Sequence, residues 1–558
     1  MRKIMVPLSV LLLVSLILSG CGTGTATPTV PASSVPASTT ASPAASSTTA
    51  KPSTAATGAT TAAPTAPATT VAAAGTPKRG GILKVIQESG PGTPIGTPFA
   101  AAGPTANTQQ LVTEALFRED ADGSINPRVA LSMDVAKDGS SITVTLRKGV
   151  KFQDGTDLNA QAVKWDFDMV KSTGMFGTVS DYWKSVDVID DSTVKINYTS
   201  WQNTDIKSLG ENFGFFVSPT AYQKNGIDWM RNNLVGSGPF KMVDFQRDVV
   251  FNTTRFDQYW DTGKPYLDGV QYLYVADPLT RQALFQSGGA DVLYMSAGGK
   301  TTADLQNAGF TVVHKPTQPY VLAPDGNNPD SPWSNVKVRQ AAEYAIDKVA
   351  IASGLGYGFK TPAYQLPTPS STVYEVNFAG RKYDVAKAKQ LMTEAGYANG
   401  FKTTIILNPT AGESDVVVAI QNYLSKIGIQ ASLEFPTASK YNDYVTLGWK
   451  NGLIMSGEGE WPNYNSVWGF YFDKNSNFFH SVYKPAELQK LIDTSLASIQ
   501  PDKALTQNVV HFLYDNAVVL PIYYIEASYV IQPYVKDGGF LNRMFPIYWR
   551  PEQTWISK

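Results

Sequence analysis

All 63 aromatic residues of this 558-residue chain lie beyond residue 79. Residues 22–79 are almost wholly Ala, Thr, Pro, Ser and Gly. Such a tract cannot bury enough apolar surface to offset the entropy of ordering it. It reads as a disordered tether, roughly 45 Å in root-mean-square span for a flexible coil, and it confines folding to residues 80–558. A body of that length implies two to four folded units. Charge divides at the same place: residues 1–79 hold five basic groups and no acid, which leaves the body with 41 basic and 47 acidic groups. A mildly acidic body is a poor match for a phosphate backbone, so no nucleic-acid partner is expected. The Ser/Thr/Pro bias of the tether also suits O-glycosylation.

Residues 1–20 read as an export signal. Arg2 and Lys3 precede an apolar run, Met5 to Leu18, that is interrupted only by Pro7, Ser9 and Ser15. The run is short for a membrane span and ends in small residues. Leu18-Ser19-Gly20-Cys21 resembles the lipobox of bacterial lipoproteins, and the resemblance implies that Cys21 becomes a lipidated N-terminus. The alternative is a plain signal peptide with an incidental cysteine. Cys21 is the only cysteine in the chain, which excludes intrachain disulfides and cysteine-cluster metal sites.

The body reads as mixed α/β. Residues 81–86 form a short strand, and 141–146 alternate Ile142, Val144 and Leu146 with polar positions, as a half-buried strand does. Asn159 caps a helix carrying Val163, Phe167 and Val170. Val338, Ala341, Ala342, Ala345, Ile346 and Val349 keep helical spacing behind Ser334 or Asn335 as cap, and another helix runs from Asp384 to Gly396. Phe401–Leu407 reads as a strand, Ser414 as the cap of a helix ending at Gly428, and 429–435 as a strand again. Strand–helix–strand with short connections is a βαβ crossover, so at least one sheet has parallel pairs. The aromatic surplus is consistent with an aromatic-lined cleft.

Catalytic constellations are scarce. His314, His480 and His511 are far apart in sequence and no zinc-type spacing occurs, so no metal and no cofactor is expected. Gly298-Gly299-Lys300-Thr301 imitates the end of a P-loop, but Tyr294 stands where its first glycine should be, and the segment reads as a turn. A paired-carboxylate hydrolase stays open at this point, because spacing in space is invisible in a sequence.

Several segments together resemble the substrate-binding proteins of oligopeptide, dipeptide and nickel ABC importers, solute-binding family 5. They are Asn126–Ala130, Leu146–Gly155, Val235–Phe240, Tyr259-Trp260 with Gly263–Asp268, Val338–Ala341, Ala345–Lys348, Tyr383–Tyr397 and Leu520–Tyr523. The resemblance spans residues 80–558 in the family's order. It implies an α/β, two-lobed fold of the periplasmic-binding-protein type II class with an extra subdomain in the first lobe. The expected division is signal 1–20, tether 21–79, first lobe 80–115 with 236–322 and 520–558, extra subdomain 116–235, and second lobe 323–519. Gly236 and Gly238 read as a tight turn, either near a hinge or plain. Arg339 and Asp347 read as two turns along one helix face, pinning that helix.

The implied function is binding without chemistry. A monomeric lipoprotein on the outer face of the cell membrane, in a periplasm or at the cell surface, captures a small solute and delivers it to an ABC permease. A peptide is favoured as the solute; an oligosaccharide, another non-peptide solute or a cell-attached hydrolase are the alternatives. Peptide-binding members carry an acid for the ligand's ammonium in a segment that Gly457–Asn463 resembles. Glu460 falls at that acid's position and Trp461 at the neighbouring aromatic. Asn327 and Trp333 match a segment that approaches the cleft, and Glu114 lies in another matched segment; each has a packing or solvent-exposed reading beside the binding one.

Overall fold

The computed structural model describes residues 75–558 apart from 92–93, 101–104, 121–123, 175–179, 211–214, 409–411, 460–462, 477 and 542–548. The expected signal, the tether through residue 74, Cys21, Glu460 and Trp461 lie outside the described residues; the tether's last residues touch the body, with Lys78 Nζ donating to the carbonyl of Ser557 at 3.0 Å and Arg79 Nη2 to that of Gly263 at 2.8 Å. Chain contacts set Val71–Lys558 apart as one compact unit.

One eleven-stranded sheet runs through that unit. At one side Phe401–Leu407 pairs in parallel with Ile429–Glu434 and with Gly452–Gly457. At the other, Ile82–Gln87 pairs in parallel with Gly269–Tyr274 and with Val292–Met295. Val250–Arg255 and Phe240–Gln246 complete that side antiparallel. Two long strands join the halves, Thr311–Pro324 and Leu520–Ile531, paired antiparallel from Thr311 opposite Ile531 to Leu322 opposite Leu520. Their register slips between Pro316 and Gln318 and again between Tyr320 and Val321. The molecule is thus two-lobed, with both lobes strung on one ladder.

The βαβ unit forms where the sequence places it. The helix Ser414–Ser425 buries Val416, Val417, Ile420 and Leu424 against the sheet, and the chain turns back at Gly428 (φ +84°). Ser414 is the helix's first residue and not its cap; Glu413 precedes it without capping and instead accepts from Lys360 at 2.7 Å. The periodic run beginning at Val336 breaks into two helices, Val336–Ala345 and Lys348–Leu355. Asp347 caps the second by accepting from the amide of Ala350, which leaves Val349 exposed. Arg339 therefore shares no helix with Asp347. It donates to the carbonyls of Trp333, Ser334, Asn516 and Ala517 and ties its helix to the second lobe's last one.

Residues 130–198 build a separate antiparallel sheet of four strands, Ala130–Val135, Ser141–Leu146, Trp183–Asp190 and Thr193–Tyr198. Its helix Ala160–Thr173 starts at Asn159, whose side chain accepts from the amide of Ala162. This sheet shares one continuous core with the first lobe, from Leu83 and Val270 to Ile142, Phe167 and Ile196. Gly236 and Gly238 belong to that packing and not to a hinge between lobes. A Cβ at 236 would stand 2.3 Å from the carbonyl oxygen of Val112, and one at 238 would stand 2.5 Å from that of Thr113. Glycine is required there for backbone to pass backbone.

Candidate functional site

In both lobes the parallel strands point their carboxyl ends toward the crossing of the two long strands. In the first lobe, Met295 pairs with Ser528 nearest the crossing and Val292 with Ile531 farthest from it. The parallel strand Ile82–Gln87 therefore also ends there, where Glu88 accepts from Ser296 at 2.8 Å. In the second lobe, Gly457 pairs with Tyr320 beside the crossing, while Leu453 pairs with Pro324 at the far end. Carboxyl ends of parallel strands are where α/β sheets leave a crevice with unpaired main chain for a ligand. Here two such sets face each other across one crossing.

The second-lobe wall is aromatic and acidic. Tyr320 and Tyr523 stack at 5.5 Å and 11°, and Lys360 lies 4.9 Å from the Tyr523 ring while paired with Glu413. Glu526, on the crossing, meets His314 Nδ1 at 2.5 Å and accepts from Thr361. Glu458 continues the strand Gly452–Gly457, and its amide donates to the carbonyl of Pro319 on the crossing strand at 3.0 Å. Its side chain is 1% exposed, and among the described residues neither carboxyl oxygen finds a hydrogen-bond partner. Burial pushes its proton affinity well up, because a lone buried carboxylate loses several kcal/mol of solvation. Glu458 lies inside the Gly457–Asn463 segment, two positions before the acid that the family resemblance picks out. The readable signal is an acid three residues after the apolar run Leu453-Ile454-Met455, at a strand's carboxyl end.

The other expected site residues are placed as follows. Glu114 is buried in the first lobe with both oxygens occupied. Arg128 grips it from Nε and Nη2 at 3.0 Å each, Tyr259 donates at 2.7 Å and Trp260 at 3.2 Å. Arg128 also reaches Glu552 at 3.5 Å and Arg118 reaches it at 2.8 Å. Burial opposes ionisation of Glu552, but the two arginines hold its carboxyl down at about 2. The Glu114 carboxylate is thus committed to the internal network and has no oxygen left for a solute. Trp333 is fully buried, donates to Thr403 Oγ1 at 2.9 Å and meets Phe401 edge-on; it is core, not a stacking platform. Asn327 is exposed and lies past Pro324, beyond the amino end of Gly452–Gly457, so the register puts it at the opposite end of the lobe from the crossing. The Gly298–Thr301 segment opens the helix Lys300–Asn307, where Lys300 pairs with Asp304.

A second contact between lobes lies away from the crossing. Asn203, wholly buried, extends from the four-stranded subdomain into the second lobe. Its side chain donates to the carbonyl of Ser495 at 2.7 Å and to Ser498 Oγ at 2.9 Å. Its own carbonyl accepts from Asn463 at 2.7 Å, and its Oδ1 accepts from Asn465 at 3.1 Å. Trp201 Nε1 adds a bond to the carbonyl of Ser498.

Two lobes on a shared ladder, with opposed strand ends and a subdomain that reaches across, define the periplasmic-binding-protein-like type II class. A model of the bacterial extracellular solute-binding proteins, family 5, matches residues 124–489. The chain belongs to that family. It is 32% identical over 326 residues to the glutathione-binding protein GsiB of Salmonella choleraesuis, a match covering 57% of this chain. That match spans 63% of the relative, less than two thirds of its length. The fold is similar to that of DppA from Helicobacter pylori in complex with the peptide STSA, with a TM-score of 0.74, 21% identity, and 86% of this chain and 99% of that one covered. It is also similar to NikA from Brucella suis in complex with Fe(III)-EDTA, with a TM-score of 0.74, 23% identity, and 82% and 96% covered.

Proposed function

We propose that this chain is the lipid-anchored, extracytoplasmic receptor of an ABC importer. It takes a small solute of peptide or glutathione-like chemistry between its lobes and hands it, unaltered, to the permease. The observation that carries the reading is the meeting of strand carboxyl ends from both lobes at the crossing. That arrangement offers main-chain donors and acceptors to a ligand from two sides at once. The name of the glutathione-binding relative and the peptide held by DppA support the ligand class, and the lipobox resemblance at Cys21 supports the anchor. Glu460 and Trp461, on the same segment as Glu458, remain candidate ligand contacts.

Thermal melting with glutathione, a tripeptide pool and an oligosaccharide pool tests the reading, with each solute recovered afterwards. Peptide-type solutes are expected to raise the melting temperature and to return chemically unchanged. A cleaved solute would establish the hydrolase alternative. For the anchor, Cys21→Ala is expected to move the protein from membrane to soluble fractions; a variant that still partitions with membranes would refute lipidation at that thiol.

A further inference from the structure

The four-stranded sheet of the subdomain ends on Trp183–Asp190, which among the described residues pairs only with Thr193–Tyr198. An edge strand of this kind turns alternate N–H and C=O groups outward, free to pair with another chain. Beside it runs the helix Ala160–Thr173, and the two form the walls of a groove of about 500 Å³. The groove belongs to the subdomain, whose sheet is separate from the one that carries the crossing. Its floor is apolar: Phe167, Trp183 and Val186 line it, and all three are buried. Folded chains commonly blunt such an edge with bulges or proline. Here the register slips between Trp183 and Ser185 and between Val188 and Asp190, but Ser185 to Val188 run regularly between the slips. The strand contains no proline.

The charges on the walls are unevenly matched. Lys164 pairs with Asp168 at 2.7 Å, and Asp187 accepts from the Asn197 side chain at 2.7 Å. Lys171 crosses from the helix and donates to the carbonyl of Trp183, so that carbonyl is turned toward the helix. The next residue along the strand is Lys184. Two cations thus converge at one end of the groove, and among the described residues neither meets a carboxylate. We propose that the groove docks an extended, acidic segment of a partner protein, which adds to Trp183–Asp190 as a further strand. An amide of the incoming strand takes over the Trp183 carbonyl. The released Lys171 ammonium, with Lys184, then holds a carboxylate side chain of the segment. Main-chain bonds supply affinity in strand addition, and alternate side chains supply specificity. Those side chains meet the apolar floor beyond the lysines.

The test titrates the full chain with a fluorescein-labelled, amide-capped peptide of sequence Glu-Val-Thr-Val-Glu-Val-Thr, in excess trialanine to occupy the interlobe crevice. Two control peptides carry lysine for glutamate or N-methyl groups on alternate amides. Affinity is read by fluorescence anisotropy, and the site by amide hydrogen exchange. The acidic peptide is expected to slow exchange within residues 183–190. It should bind about tenfold more tightly than either control, the loss expected for one charge-assisted contact. The double variant Lys171→Glu, Lys184→Glu should weaken it by about tenfold or more and melt as the wild type does. If that variant fails to fold, the two control peptides on the wild type decide the matter. Equal binding of the lysine or N-methylated peptide overturns the proposal, as does unchanged affinity in a folded double variant. Absence of binding, or slowed exchange confined to the strand ends at the crossing, overturns it too and leaves the binding-protein reading untouched.

Discussion

Glu114 and Asp205 show how burial gives a carboxylate opposite roles. Glu114 has four donors converging on it, so removing it leaves the buried Arg128 with only the longer 3.5 Å contact to Glu552 as a carboxylate partner. Glu114→Ala is expected to cost about 3–5 kcal/mol of stability, measured by urea unfolding; a stable variant with weakened solute binding would instead return Glu114 to the ligand. Asp205 is held by Trp183 Nε1 at 2.5 Å and by the Tyr198 hydroxyl at 2.7 Å. Burial outweighs those bonds and pushes its carboxyl up to about 7 from an ordinary 3.8. Between those values the folded chain holds more protons than the unfolded one, so this residue's contribution to stability declines as pH rises from about 4 to 7. Asp205→Asn keeps an acceptor for both donors and should remove that decline. The stability difference between variant and wild type is expected to grow by up to about 4 kcal/mol between pH 4 and 8; a difference that does not change with pH would show that Asp205 ionises normally. At this scale the sequence is a partial guide. Glu114 stands out in a matched segment, but its partners Tyr259 and Trp260 are 145 and 146 positions away, and only folding shows that they exhaust it. Glu458 has the reverse history: it lies in a matched segment whose resemblance points to Glu460 instead, and burial alone makes it conspicuous.

Elements were legible where their determinants are local. Apart from its cap, the unit from Phe401 to Glu434 reads correctly because its strands, helix and turning glycine lie within one short stretch and bury a regular apolar stripe. The run after Val336 misleads because apolar spacing continues across a break. The first helix stops at Ala345 with Ile346 as its cap, and Asp347 caps the next; a polar cap inside a periodic pattern is easily taken for a surface position. Gly236 and Gly238 mislead differently: their requirement comes from the carbonyls of Val112 and Thr113, which no local pattern reveals. Gly236→Ala is expected to destabilise the first lobe by about 1–3 kcal/mol through overpacking, read as a lower urea midpoint with an unchanged slope. An unaffected midpoint would show that the two backbones can separate freely.

At the scale of the molecule, the two-lobed class was legible from the order of the matched segments, but the grip of the subdomain on the second lobe was not. Asn203 and Asn465 are 262 positions apart, and neither has a sequence signature. The bonds around Asn203 are all between neutral groups, so their strength should depend little on salt. Asn203→Ala removes four side-chain bonds, each worth about 0.5–1.5 kcal/mol net. It is expected to shift the lobes toward an opened arrangement, seen as a larger radius of gyration in X-ray scattering and a faster solute off-rate. Unchanged scattering together with an unchanged off-rate would show that the crossing strands alone set the lobe arrangement.

Those crossing strands carry a mechanical consequence. Pro316 and Pro319 have no amide hydrogen to give, and they stand where the register with Leu520–Ile531 slips, so the ladder is missing rungs at the point where the lobes part. Two ribbons laid side by side and thinned at one line behave like a flexure in an instrument. They bend readily about that line and resist shear and twist, because the intact rungs on either side keep the ribbons from sliding. Opening and closing about that line is expected to follow one track, which would return the two sets of strand ends to the same alignment each time.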